Sequence, residues 1–348
     1  MTDEEYYRAK LAMLRKHIVP ANSVLIVTHD YPDPDCLAAA LGMQHLVHSW
    51  GVDTVQITFG GFVGRAENRA MIRLLGIDVV PVMLIDISQF DRVIVVDSFP
   101  GTGHVSLPAG QKIDVVLDHH PNQPNAETKF YYDIRKDLGS TSTLVSKYIL
   151  TAGLKIPSRL ATALFYGIKT DTSEISRNVS PEDLEMYKHL FDLIDHHLLS
   201  QIETPARDQE YFRVLHKATG ELEIYDEAEV AYTHLGKISA PDSVAEIADL
   251  CSAMEGITTI VCSGFFNNQI FYSVRVKNAD HNAGTIAMNI AREQSGFGGG
   301  HASMAAGRIP LRDPHADHDE ALVKFENAFR RILDIDKIEP ETIMEKED

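Results

Sequence analysis

The chain has 348 residues, of which 44% are hydrophobic and 24% charged, ordinary globular values for a protein long enough for two domains. With 32 Lys and Arg against 50 Asp and Glu, the formal net charge is −18. Long duplex nucleic acid is therefore not a favoured partner, whereas a short phosphorylated ligand held through metal ions is compatible with this balance.

No run approaches the roughly 18 apolar residues that a membrane span requires. The opening MTDEEYYRAK is acidic and amphipathic, unlike the basic-then-apolar start of a secretory signal, so export is not expected. From residue 23 to about 175, short β-branched apolar runs alternate with helical patterns, which reads as a parallel α/β sheet. Strands are predicted at 23–28 (SVLIVT), 54–59, 92–96 (RVIVV) and 113–117 (IDVVL). Their nearly continuous apolar character fits strands covered on both faces. Helical periodicity follows at 37–50, 65–75, 142–152 and 158–169, with Gly139-Ser140-Thr141 as the loop and N-cap into the third. After Pro181 one long helix is predicted from 182 to about 202, then a further helical stretch to 217 that reads as a connector. A second module carries strands near 229–233, 258–266 and 269–276, the last two joined by an Asn267-Asn268 turn. Its helices are predicted at 242–254, 285–292 and 319–333, and the final acidic stretch is expected to fray. Three cysteines, Cys36, Cys251 and Cys262, lack any C-x-x-C spacing; they fit buried thiols in a reducing cytoplasm better than a disulfide frame.

The chemistry gathers at the ends of these elements. After SVLIVT comes His29-Asp30-Tyr31-Pro32-Asp33-Pro34-Asp35, after RVIVV comes Asp97, after IDVVL comes Asp118-His119-His120, and after the 158–169 helix comes Thr170-Asp171-Thr172. All strand C-termini of a parallel sheet lie along one edge, where open α/β folds put their ligands, so residues remote in sequence can meet there. Imidazoles and carboxylates without cysteine suit divalent Mn²⁺ or Mg²⁺ better than zinc alone. Asp33 and Asp35, two apart on a proline-stiffened segment, can reach two ions. Two ions about 3.5–4 Å apart can activate a water and stabilise an in-line attack on phosphorus. Asp33, Asp35, Asp97 and Asp171 would match the charge of two such ions. The alternative is that each Asp merely caps the next helix.

With these motifs the sequence resembles the DHH phosphoesterase family, the group of RecJ-like exonucleases and of bacterial nanoRNases that also act on pAp. His29-x-x-x-Asp33-x-Asp35 matches its first motif, Asp97 its second, Asp118-His119-His120 its name-giving third and Asp171 its fourth. The resemblance implies one ion on His29, Asp33 and Asp97 and another on Asp35, His119 and Asp171, with Asp97 bridging the pair. It implies that His120 contacts phosphate or assists proton transfer and that Asp118 orients a ring. The nucleophile is then water, with no Ser or Cys required. The second module resembles the DHH-associated substrate-binding domain through Gly298-Gly299-Gly300-His301 and Ala305-Ala306-Gly307. There the glycines admit backbone N–H groups to a phosphate, His301 adds a donor, and Arg275 looks like the phosphate-gripping arginine. Val276 and Phe297 depart from the family pattern. The expected fold is an N-terminal parallel-sheet α/β domain plus a smaller α/β C-terminal domain joined by a helical connector. The expected boundaries are a catalytic domain at 1–195, a linker at 196–217, a substrate-binding domain at 218–335 and an acidic tail at 336–348.

A second copy of the signature letters, Asp195-His196-His197, lies inside the helical run LEMYKHLFDLIDHHLLSQIE. Adjacent helical histidines point about 100° apart and do not readily share a metal, so this copy is expected to be structural. Among His315, Asp317, His318 and Asp319, Asp317 or Asp319 is expected to cap the last helix. Arg65 and Asn68 are candidates for substrate contact or for a helix start, Trp50 is expected to pack, and His45 and His48 show no carboxylate partner. The leading expectation is a cytoplasmic, homodimeric, Mn²⁺-dependent phosphodiesterase. It would convert short 5′-phosphorylated oligonucleotides or linear dinucleotides (pNpN) to mononucleotides, with pAp a further candidate. The alternatives are a RecJ-like single-strand DNA exonuclease, a cyclic-dinucleotide phosphodiesterase, an inorganic pyrophosphatase and a catalytically silent nucleotide-binding regulator. A RecJ-like track would be basic and aromatic-lined, which one Trp and a net charge of −18 fit poorly.

Overall fold

The computed structural model describes residues 2–19, 21–102, 104–108, 110–121, 130–278, 281–300, 302–311 and 317–343. The chain divides into two units, Met1–Pro205 and Ala206–Asp348. In the first unit the elements are α1 (Asp3–Ile18), β1 (Ser23–Val27), α2 (Pro34–Ser49), β2 (Thr54–Phe59), α3 (Ala66–Leu75), β3 (Val79–Pro81), β4 (Arg92–Val96), β5 (Val115–Asp118) and β6 (Tyr131–Ile134). They are followed by α4 (Thr141–Thr151), α5 (Ser158–Asp171), α6 (Pro181–Phe191) and α7 (His196–Glu203).

The six strands form one parallel sheet in the order β3-β2-β1-β4-β5-β6. The apolar runs have the expected cause. On β1, Val24 and Ile26 enter the large core formed with helices α1 to α7, while Leu25 and Val27 enter a smaller one on the other side with Val93, Val95 and Val116. Strand order reverses between β1 and β4, the switch point at which such sheets bind their ligands. Helix α2 packs on α4 and α5. The approach of α5 depends on Gly167, where a Cβ would lie 2.4 Å from Ser142 Oγ and 3.1 Å from the Asp35 backbone.

The second unit comprises α8 (Gln209–Gly220), β7 (Glu223–Tyr225), β8 (Val230–Lys237), α9 (Asp242–Cys251), β9 (Thr259–Phe266) and β10 (Gln269–Val276). It continues with α10 (Ala283–Glu293), β11 (Phe297–Gly300), β12 (Met304–Pro310), α11 (His318–Ile332) and β13 (Glu341–Thr342). Its mixed sheet runs β11-β12-β10-β9-β8-β7-β13, with β8 and β9 parallel and the other pairs antiparallel. One face is covered by α10 and α11, the other by α8 and α9. Asn267 and Asn268 both take positive φ, 45° and 58°, as the tight hairpin between β9 and β10 requires.

One expectation is corrected. The predicted helix at 182–202 is two helices, because Asp195 takes an N-cap conformation and accepts from His197 N and Leu198 N, each at 3.0 Å. Gly298, Gly299 and Gly300 lie in edge strand β11, paired with β12. A Cβ on Gly298 would lie 2.5 Å from both Ala287 O and Tyr272 Oη, so packing against α10 already calls for glycine there. Among the described residues no helix is long and apolar enough to cross a membrane, and all three cysteines are free and buried.

Candidate metal centre

Strands β1, β4 and β5 are neighbours in the sheet, so their C-terminal ends deliver His29, Asp97 and His119-His120 to one place. Asp33 is the N-cap of α2 with Pro34 following it, and Asp35 sits in the first turn. That turn faces the start of α4, where Asp35 accepts from Thr141 N at 2.7 Å and Ser142 N at 2.9 Å. Asp171 ends α5, a helix end at which an acidic side chain is unfavourable unless a cation accompanies it.

Asp97 lies at the centre. Its Oδ2 is 3.7 Å from His29 Nε2, and its Oδ1 is 3.6 Å from His119 Nε2 and 3.8 Å from His120 Nδ1. The Thr141 hydroxyl donates to the same Oδ1 at 2.7 Å. On one side His29 Nε2 is 3.5 Å from Asp33 Oδ1. On the other, His119 Nε2 is 2.9 Å from Asp171 Oδ2. Asp35, His119 and Asp171 form one group of donor atoms within 4.8 Å of one another, and Asp97, His119 and His120 form a second.

The three imidazoles are oriented alike. His29 Nδ1 meets Asp30 O at 2.9 Å, His119 Nδ1 meets Leu138 O at 3.2 Å, and His120 Nδ1 meets Asp118 Oδ1 at 2.8 Å. A ring that donates from Nδ1 to an oxygen keeps its Nε2 lone pair for a cation or substrate. Asp118, fully buried on β5, thus orients a ring and is not among the converging donors.

The electrostatics call for positive charge. Burial and then the neighbouring Asp171 push the Asp35 carboxyl up to about 6, and burial with Asp35 and Asp33 holds Asp97 well above the usual carboxylate range. Burial opposes the charged form of His119, yet Asp171, Asp97 and Asp35 raise it well above its ordinary value. The buried His119 Nε2 has no hydrogen-bond partner despite its short distance to Asp171. An unpaired buried nitrogen beside Asp35 and Asp97, whose charged forms burial and neighbouring carboxylates disfavour, is a donor set that divalent cations fit.

The second unit's candidates stand differently. Arg275 is buried on β10 and is already engaged: its Nε donates to Asp249 Oδ1 at 2.5 Å and its Nη1 to Ser273 Oγ at 2.7 Å and Val274 O at 3.1 Å. Gly298, Gly299 and Gly300 are on β11, whereas His301 lies outside the described residues, as does His315. Asp317 caps α11 by accepting from Asp319 N at 2.9 Å, and His318 stacks on Phe265. His45 and His48 meet the carbonyls of Lys155 and Val52, and Trp50 packs against the large core.

Sequence reasoning gave three contributors other roles: Thr141 in the loop into α4, Asn68 as a candidate for substrate contact or a helix start, and Cys36 as a buried thiol. Thr141 holds Asp97, although Ser140 is the N-cap in the predicted loop. Asn68 is buried and donates to Pro32 O at 2.9 Å, fixing the loop that carries Asp33 and Asp35. Cys36 lies beside His29 and Asp33. A hydroxyl just after a predicted N-cap is the only one of these with a signal in the sequence.

The model of the DHH family, N-terminal domain, matches residues 23–168, and that of the DHHA1 domain matches residues 227–332. An uncharacterized protein from Methanocaldococcus jannaschii is 36% identical over 322 residues, covering 91% of this chain and 65% of its own length. A probable manganese-dependent inorganic pyrophosphatase from Enterococcus faecalis is 25% identical over 177 residues, covering 50% of this chain and 56% of its own length. The chain thus spans less than two thirds of the length of these relatives. Among solved structures, an exopolyphosphatase-related protein from Bacteroides fragilis has the same fold, with a TM-score of 0.74, 18% identity, and coverage of 94% of this chain and 97% of that one.

Proposed function

Because the chain belongs to the DHH family and carries both its N-terminal domain and a DHHA1 domain, we propose that it is a metal-dependent phosphoesterase. Its substrates in this reading are short 5′-phosphorylated oligonucleotides or linear dinucleotides, cleaved to mononucleotides, with the 3′-phosphate of pAp as a further target. The observation that carries the reading is Asp97, whose two oxygens face His29 on one side and His119 on the other. A carboxylate so shared is what a pair of cations needs.

His29, Asp33 and Asp97 would hold one cation, and Asp35, His119 and Asp171 the other, with Asp97 common to both. Mn²⁺ is favoured by the nitrogen and oxygen donors and by the manganese in the name of the pyrophosphatase relatives; Mg²⁺ is the competitor. When bound, such a pair lowers the pKa of a water and neutralises charge on phosphorus-bound oxygens. The rest falls to the chain. Thr141 fixes Asp97, the start of α4 fixes Asp35, and Asp118 turns His120 so that its outer nitrogen, on taking up a proton, can donate to a phosphate oxygen or a leaving oxygen. In the second unit, Arg275, Gly298, Gly299, Gly300 and His301 are the proposed phosphate-binding set, and Arg275 must exchange Asp249 for phosphate to serve. Arg275→Ala is accordingly expected to raise KM with little change in kcat, and an unchanged KM in steady-state kinetics removes it from the set.

Mass analysis of products tests the proposal, with pNpN, pAp, cyclic dinucleotides, a long single strand and inorganic pyrophosphate each offered with Mn²⁺ or Mg²⁺. Mononucleotides from pNpN at a rate well above that on the long strand support it. Pyrophosphate hydrolysis is the second reading, favoured by the names of several relatives, and selective turnover of pyrophosphate would replace the first. Binding without cleavage of any of these would make the chain a silent nucleotide binder.

A further inference from the structure

Cys36 is the third residue of α2, and the cap at Asp33 determines where its side chain goes. Asp33 Oδ1 accepts from Cys36 N at 3.0 Å, and the thiol turns back to donate to Asp33 O at 3.4 Å. The result is a fully buried sulfur inside the candidate metal centre. Its donor atom and one each from His29 and Asp33 all lie within 4.8 Å of one another. Cys251 and Cys262 have no such company; both are part of an apolar core in the second unit.

Resting on the metal site proposed above, we infer that Cys36 is a further, soft donor to the cation held by His29 and Asp33, taken up by thiophilic ions such as Zn²⁺, Cd²⁺ or Co²⁺ and left aside by Mn²⁺. Thiolate favours those ions, whereas carboxylate and imidazole suffice for manganese. When the metal–sulfur bond forms, the S–H bond breaks and its proton leaves to solvent, while the electron pair stays with sulfur. Donors around a tetrahedral zinc are about 3.5 Å apart, given bonds of about 2.0–2.3 Å. The three donor atoms, within 4.8 Å of one another, lie near that spacing. Cys36 thus acts as a selector of which metal the centre retains, and it has no part in the water-and-phosphate chemistry proposed with manganese.

The test uses the full chain, stripped of metal and without substrate, loaded separately with Co²⁺, Zn²⁺ and Mn²⁺. Wild-type protein is expected to show sulfur-to-cobalt charge-transfer absorption and, by X-ray absorption at the zinc edge, a sulfur neighbour at about 2.3 Å. Cys36→Ser should lose both signals and bind Zn²⁺ at least about tenfold more weakly, with Mn²⁺ affinity changed less than about threefold. The X-ray measurement on wild type does not depend on the variant folding. A zinc shell of nitrogen and oxygen alone overturns the inference and leaves the metal centre standing. A sulfur signal that survives in Cys36→Ser also overturns it, and failure to bind any of the three cations removes the metal centre as well.

Discussion

Asp97 is held with φ at 57°, a left-handed conformation that costs an Asp about 1 kcal/mol or more and persists only where surrounding contacts impose it. Here Asp97 N continues the ladder by donating to Leu117 O, and Thr141 grips the carboxylate. The conformation points the side chain off the strand end and between the histidines. Loss of an outer partner in a metal site costs about 10–100-fold in affinity or activity, and removal of a shared ligand should cost more. Asp97→Ala is therefore expected to abolish hydrolysis and loosen both cations, read by calorimetric Mn²⁺ titration beside product analysis. His196→Ala, from the second D-H-H copy, should stay within a few-fold of wild type; equal losses in the two variants would sink the choice between the copies. Thr141→Val should lower Mn²⁺ affinity by about 10–100-fold, with Thr141→Ser restoring it. Metal affinity unchanged in Thr141→Val would show that the backbone alone fixes Asp97. The converging residues could be read from the sequence because each follows an apolar run that ends at the same sheet edge. Thr141 and Asn68 could not, since their partners, Asp97 and Pro32, are 44 and 36 residues away and meet them only through folding.

At the scale of elements, local chemistry decided where two similar letter strings went. Asp118 is the last residue of a buried strand and its carboxylate accepts from His120 Nδ1 and from the His120 backbone. Asp195 caps α7 instead, with His196 exposed at its start and its ring edge-on to Phe191. Asp195→Ala should therefore destabilise the protein by about 1 kcal/mol, seen as a lower denaturant midpoint with unchanged slope, and leave Mn²⁺ affinity alone. A loss of affinity in that variant would give this copy a functional role after all. The periodicity of LEMYKHLFDLIDHHLLSQIE ran through the break because Leu190, Ile194, Leu199 and Ile202 face one core on both sides of it, so apolar spacing alone did not reveal the cap. Strands β3, β7 and β13 escaped sequence reading for a different reason. They are two or three residues long, too short for an alternating pattern to register. β11 escaped because glycine supplies no pattern at all.

At the scale of the molecule, the division of labour follows from which unit buries what. The parallel sheet and the edge carrying the site were legible because β1, β2, β4 and β5 write themselves as nearly continuous apolar runs, whereas the strand order was not. The antiparallel portion of the second sheet was half legible, since β12 reads MAAGRIP, alternately exposed and buried with small side chains. Each unit has a core of its own, formed in the first by residues between Tyr7 and Ile202 and in the second by residues between Val214 and Ile335. A unit with its own core is expected to fold alone. Every donor at the candidate centre, and each group that orients one (Asp30, Leu138, Asp118, Thr141 and Ser142), belongs to the first unit. Residues 1–205 expressed alone should accordingly unfold in one cooperative transition and bind Mn²⁺ within a few-fold of the full chain. Turnover of pNpN should fall in that fragment if Arg275 and the glycines of β11, which are absent from it, bind phosphate as proposed. Circular dichroism melting and calorimetric titration read the first two expectations, and product analysis reads the third. A fragment that melts without cooperativity, or folds yet has lost its metal affinity, would mean that the centre depends on the second unit in a way its own ligand set does not reveal. Full turnover in the fragment would instead remove the second unit from substrate binding.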